Sequence, residues 1–179
     1  METLDCIRTR TSVREFSRED IPDHFLKELL EAATQAPSAG NTQEWVFIAV
    51  REEEQKKHIA EAAFGQEFIL HAPVVVVVCA DLERIQVAYG ERGVSLYAYQ
   101  DTAAAIQTML LAAWEKGIGS CWVGAFNETR LKGALVIPTN IKPVAIIPLG
   151  YPADKPAKPE RRPLQEIIFK ETWGGKWEN

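Results

Sequence analysis

Cysteine is scarce in this chain of 179 residues: Cys6, Cys79 and Cys121 are the only three, and no two form a CxxC pair. An odd number without paired spacing argues against a disulfide framework and against a thiolate zinc site, and it suits reduced thiols in a cytoplasmic protein. The three histidines, His24, His58 and His71, are dispersed and offer no metal-ligand spacing. No GxSxG elbow and no GxxxxGK[ST] loop occurs. The longest apolar run, residues 72–80, falls far short of the roughly 20 residues a bilayer crossing needs, so no membrane partner is expected. Residues 1–5 are acidic and lack an apolar core segment, which predicts no secretory leader. Basic charge is also short. Lys and Arg number 20 against 25 Asp and Glu, a net charge of −5, which argues against a nucleic-acid partner bound by phosphate neutralisation.

What is present is an ordinary globular composition, 46% hydrophobic and 25% charged, sized for one domain over residues 1–179. Asp20 and Pro22 open a helix whose Phe25, Leu26, Leu29, Leu30 and Ala33 share one face. Pro37 must end it. Residues 46–50 read as a strand, 52–63 as a surface helix, and 73–79 as a strand covered on both faces, because its valines do not alternate with polar residues. Residues 94–116 read as a long helix without charge between Asp101 and Glu115. Such a helix is buried all round, most easily if a second subunit covers part of it. A turn at 117–119, a strand at 121–123, a short helix capped by Asn127 and a strand at 144–149 follow. From residue 152 prolines recur every three or four positions among Lys and Arg, which predicts an extended arm over 152–179 ending in a packed apolar tail with Trp173 and Trp177. The whole reads as an α+β layer fold. Gly117-Ile118-Gly119 follows a helix and opens a strand, the reverse of a dinucleotide fingerprint.

Four clusters could carry chemistry. Arg10, Thr11, Ser12 and Arg14, with Arg8 nearby, offer guanidinium and hydroxyl groups suited to a phosphate monoester, or they form a solvated face beside Glu15, Glu19 and Asp20. Pro37-Ser38-Ala39-Gly40-Asn41-Thr42-Gln43 is small and amide-rich, fit for a flat ligand or for a plain helix-to-strand turn. Gly119-Ser120-Cys121-Trp122-Val123-Gly124 lets backbone approach a ring, or is a core strand with Trp122 packed inside. Arg161 and Arg162 sit in what is otherwise a basic linker. Cys121 reads as core, with no His or Lys nearby in sequence to activate it.

Together, the Arg-x-Ser-x-Arg element, the Pro-Ser-x-x-Asn-x-Gln loop, the glycine-flanked segment, Leu149-Gly150-Tyr151-Pro152 and the basic arm resemble, in order, the FMN-dependent nitroreductase family. The resemblance spans essentially the whole chain. It implies a central, mainly antiparallel sheet flanked by helices, with the arm embracing a partner in an intertwined homodimer. It also implies FMN as cofactor and NADH or NADPH as cosubstrate. Arg10 would pair with the FMN phosphate, Ser12 with the phosphate or ribityl chain, and Arg14 with the pyrimidine edge of the ring. Trp122, Val123 and Gly124 would line the ring face, Gln66 would touch it, and Arg161 or Arg162 would complete the phosphate site. Pro37, Ser38, Ala39 and Asn41 would cover the flavin of the other subunit. This chain has Gln43-Glu44-Trp45 where the family usually has Gln-Pro-Trp. The absence of a protein acid, base or nucleophile suits an enzyme whose cofactor supplies the reactive atom. The reaction implied is NAD(P)H-driven reduction of nitroaromatics, quinones or similar small acceptors. Reductive dehalogenation, flavin fragmentation and a non-enzymatic FMN-binding redox sensor stand as alternatives on the same scaffold.

Overall fold

The computed structural model describes residues 1–177. Four strands form one antiparallel sheet in the order β1-β2-β4-β3, with β1 at Trp45–Val50, β2 at Val74–Asp81, β3 at Gly119–Ser120 and β4 at Ile141–Gly150. The valine run of β2 lies at the centre, fully buried on both faces. Because side chains alternate along a strand, the run divides between two cores. Val74, Val76 and Val78 join a core with α2 (Asp23–Ala33) and α6 (Ala98–Glu115). Val75, Val77 and Cys79 face Ile59 of α3 (Glu53–Ala62), Ile69 of α4 (Phe68–His71) and Leu131 of α7 (Glu128–Leu135). Each buried valine contributes roughly 1.5–3 kcal/mol over an exposed one. Ile147 of β4 is fully buried in the first core, so Ile147→Ala should cost about 2–5 kcal/mol. A lower urea midpoint at unchanged m-value checks this.

The expected α+β sheet and its helices are present, and three local details differ from the sequence reading. No sequence pattern marks α5 (Leu82–Arg92), a mostly polar helix capped by Asp81, whose side chain accepts from Arg84 N at 3.1 Å. It breaks at Gly90 (φ 56°, ψ −141°) and enters a π-helical turn at Gly93–Tyr97, so the apolar helix begins at Ala98 instead of residue 94. The strand expected at 121–123 is β3 at Gly119–Ser120, with Val123 making one further bridge to Ile146. The reason lies in β4. Cys121 donates to the Pro148 carbonyl at 3.3 Å, and a proline has no amide to return the bond, so the ladder is interrupted there.

α6 is buried against the sheet, α2 and α1, but not all round. Ala104, Leu111, Ala112 and Trp114 remain half-buried in the single chain. The arm is extended as expected, but its apolar tail is not packed on its own domain: Leu164, Ile167, Trp173 and Trp177 are all exposed, Trp173 at 91%. α1 (Thr3–Thr9) packs on α6 through Cys6, whose thiol donates to the Leu111 carbonyl at 3.2 Å. No described helix is long and apolar enough to cross a membrane.

Candidate functional site

After α1 the chain runs extended along the free edge of β3. Val13 N donates to Ser120 O at 2.9 Å, Ser12 bridges Ser120, and Phe16 bridges Pro152. Two register partners, Gly119 and Gly150, make this approach possible. A Cβ on Gly119 would lie 2.6 Å from Val13 Cγ2, and one on Gly150 would lie 2.8 Å from Phe16 Cδ1 and 2.6 Å from Pro73 Cδ. The period of two then sorts the side chains. Val13 turns inward and is buried, Arg10, Ser12 and Arg14 share the outer face, and Thr11 is buried beneath the returning arm.

The arm returns across that face. Thr11 Oγ1 donates to Ala157 O at 3.3 Å. The result is a polar cleft of about 250 Å³ lined by Arg10, Thr11, Ser12, Arg14, Ala157, Pro159 and Arg161. Three guanidinium groups therefore meet at one place from opposite ends of the chain. Among the described residues none of the three makes an ion pair. Arg162 does not line the cleft; its Nε faces Glu166 Oε2 at 3.4 Å. Arg14 lies over the Phe68 ring, its Cζ 5.8 Å from the centroid, a contact the sequence reading missed because nothing local links residues 14 and 68.

Cys121 lies beside Arg14, Ser12 and Arg10 without lining the cleft. Burial pushes its thiol up, while Arg14, the Ser12 side chain and Arg10 pull more weakly the other way. Burial likewise raises Cys6 and takes Cys79 up to about 12. All three are protonated structural thiols at neutral pH, so no nucleophile is hidden among them. Ser120 Oγ is buried without a hydrogen-bond partner among the described residues. Trp122 is 41% exposed, Val123 is buried, and a Cβ on Gly124 would meet nothing within 4 Å, so this stretch presents an open backbone shelf. Gln66 ties the shelf to the α3–α4 turn, its Nε2 donating to Ala63 O at 2.9 Å and Ala125 O at 3.2 Å.

The loop at 37–43 lies elsewhere. It leads into β1 at Trp45, which pairs with Ala80 at the far end of β2, whereas Ser120 pairs with Leu149 and Leu149 with Val74 at the near end. Six or more residues of strand and three interstrand steps separate the two groups, roughly 25 Å corner to corner. Pro37, Ser38, Ala39 and Asn41 are thus not brought together with Arg10, Ser12, Arg14, Trp122 and Arg161 within one subunit. The loop is nevertheless well ordered. Ser38 Oγ accepts from Gln43 N at 3.0 Å, Asn41 Oδ1 accepts from Gln43 Nε2 at 3.0 Å, and Arg84 Nε donates to the Thr42 carbonyl. Its tight path requires left-handed backbone at Gly40, Asn41 and Gln43.

The sequence profile of the Nitroreductase family matches residues 7–67 and 60–151. The chain belongs to the nitroreductase family. A protein of Archaeoglobus fulgidus is 42% identical over 163 residues, covering 86% of this chain and 87% of its own; its name pairs NADH dehydrogenase with NAD(P)H nitroreductase. The FMN reductase [NAD(P)H] of Bacillus subtilis is 31% identical over 185 residues, covering 96% of this chain and 74% of its own. The crystal structure of a nitroreductase family protein from Clostridium novyi superposes with a TM-score of 0.79 at 32% identity, covering 99% of this chain and 97% of that one. The nitroreductase match stops at Tyr151, so Arg161 comes from the arm beyond it.

The residues present suit FMN. A phosphate monoester carries two negative charges and three acceptor oxygens, and the cleft is lined by three arginines without ion pairs among the described residues and by Thr11 and Ser12. The open shelf at Gly124 leaves room for a flat ring to lie against backbone.

Proposed function

We propose that this chain is an FMN-dependent oxidoreductase that uses NAD(P)H to reduce nitroaromatics, quinones or related small acceptors, working as a cytoplasmic homodimer. The observation that carries the reading is the meeting of Arg10, Arg14 and Arg161 at one cleft without carboxylate partners among the described residues. Uncompensated guanidinium groups repel one another, so their convergence calls for an anion. The names of the relatives supply the class of that anion, a flavin mononucleotide.

Arg10 and Arg161 hold the phosphate with charge-assisted hydrogen bonds, each worth about 1.5–3 kcal/mol. Ser12 donates its hydroxyl to the phosphate or the adjoining chain. Arg14, carried on the same strand face and braced on Phe68, places positive charge at the ring's pyrimidine edge, where it favours the two-electron reduced state. Trp122, Val123 and Gly124 form the shelf for the ring, and Gln66 anchors that shelf. When bound, FMN would supply the redox chemistry that links NAD(P)H to the acceptor. The protein contributes binding, orientation and charge.

The loop carrying Pro37, Ser38, Ala39 and Asn41 sits at the opposite corner of its own subunit, which suits a dimer in which it covers the partner's flavin. The half-buried face of α6 and the exposed apolar tail are the surfaces that such a dimer would bury.

Titration of the ligand-free protein with FMN, followed by quenching of flavin fluorescence, tests binding. It should show saturable uptake of one FMN per chain that weakens as salt rises. NADH and NADPH oxidation with menadione or nitrofurazone then tests turnover. A protein that stays colourless and refuses FMN overturns the reading, and one that binds FMN without turnover is a sensor instead.

A further inference from the structure

At the root of the 37–43 loop two carboxyl groups are buried together. Glu44 is 1% exposed and Asp101, in the first turn of α6, is 8% exposed. Asp101 Oδ2 accepts from Ala39 N at 2.8 Å, and Glu44 Oε2 lies 2.7 Å from Thr42 Oγ1. Glu44 Oε1 has no partner among the described residues that could give it a proton. Thr42 Oγ1 also reaches Ala39 O at 2.9 Å, so both carboxyls are tied to the same short turn, and no ion pair reaches either among the described residues. Two ionised carboxylates in such a place would repel each other in a low dielectric and leave lone pairs unmet. One proton removes both faults, because a carboxyl O–H can donate to the neighbouring carboxylate.

We propose that Glu44 and Asp101 share one proton, and that this proton clamps the loop at residues 38–43 to the start of α6. Asp101 already accepts a backbone amide from Ala39, which suits it to be the accepting partner of the shared proton. Glu44 is suited to keep the proton. Burial raises its carboxyl, the Thr42 hydroxyl and its own backbone amide pull it down, and the Asp101 side chain, through its hydrogen bond and charge, raises it further. The other titratable groups on the surrounding elements are engaged elsewhere. Asp81 at the end of β2 caps α5, Arg84 of α5 donates to the Thr42 carbonyl, and Tyr89 and Tyr97 stack edge to face, with the Tyr97 hydroxyl accepting from Arg92 Nε. A proline at position 44, usual in the family, would have no proton to share.

The raised Glu44 value fixes the sign of the pH dependence. The clamp is fully present below the ordinary glutamate value and is lost as pH rises through the raised one. The clamp itself stands without any ligand; its bearing on the cofactor rests on the function proposed above. The test therefore uses the ligand-free protein. Melting temperature and amide-exchange protection of residues 38–43 are followed with rising pH in the wild type, in Glu44→Gln and in Asp101→Asn. Glutamine keeps a neutral donor toward Asp101 at every pH, so Glu44→Gln should match the wild type at low pH and lose its decline with rising pH. Asp101→Asn, which offers an amide donor to an ionised Glu44, should lose that decline as well. Identical pH profiles in wild type and Glu44→Gln would overturn the proposal. The infrared spectrum of the wild type needs no variant: it should show a carboxylic-acid carbonyl band that persists above the ordinary glutamate range and fades as the clamp is lost, and its absence there would be equally fatal. FMN titration over the same pH range, wild type against Glu44→Gln, is read separately, so a failure to bind flavin leaves the test of the clamp intact.

Discussion

The Arg10→Ala/Arg161→Ala double variant is expected to fold normally and to bind FMN about a thousandfold more weakly than the wild type. Each guanidinium is assigned one charge-assisted contact to the phosphate, worth about 2 kcal/mol, and every 1.4 kcal/mol is tenfold in affinity, so about 4 kcal/mol gives about three decades. Neither arginine makes an ion pair among the described residues, so the melting temperature of the ligand-free protein should hardly move. Arg162→Ala is the internal control. Its side chain faces Glu166 outside the cleft, and an exposed pair of that kind contributes little, so its FMN affinity should stay within about twofold of wild type. Affinity in the double variant within fivefold of the wild type would show that the flavin phosphate is held elsewhere.

The second large effect belongs to residues that touch no ligand. Gly119→Ala and Gly150→Ala each place a methyl group where Val13, Phe16 or Pro73 already stands, at 2.6–2.8 Å. Val13 is buried, and Phe16 and Pro73 are half-buried and bulky, so the backbone must give way. Overpacking of this kind costs about 1–3 kcal/mol at each site. The strain against Val13 and Phe16 has an outlet: the segment at 10–16 can lift off β3. The double variant should therefore show a fall in melting temperature together with weaker FMN uptake, because the arginines travel with the segment. Parallel measurement of ligand-free stability and FMN affinity checks this. If affinity held while stability fell, the arginines would be positioned by the arm, independently of the β3 edge.

Much of this molecule is legible in its residues. The valine run announces a doubly covered strand, and the spacing of Leu26, Leu29 and Ala33 announces a helix, because burial leaves a periodic mark. The helix at Leu82–Arg92 was missed because only Ile85 among its residues is buried, so it carries no apolar stripe. The break in β3 was missed because its cause, Pro148, lies on the neighbouring strand. The site shows the same divide. Arg10, Ser12 and Arg14 share a face by simple alternation, which the sequence displays. That Arg161 and not Arg162 joins them depends on the course of an extended arm, which no local pattern specifies. The Glu44–Asp101 pair was invisible, since one residue reads as an oddity in a turn and the other as an ordinary helix-start carboxylate.

The central position of β2 has a cost before the fold is complete. Val77 pairs with Ile146, about 70 residues further along the chain. While that partner is still being synthesised, seven consecutive β-prone residues without charge have one flank open to neighbouring nascent chains. The stretch that the finished protein hides most thoroughly is therefore its chief aggregation hazard during biosynthesis, and slow translation or crowded overexpression falls hardest on that window.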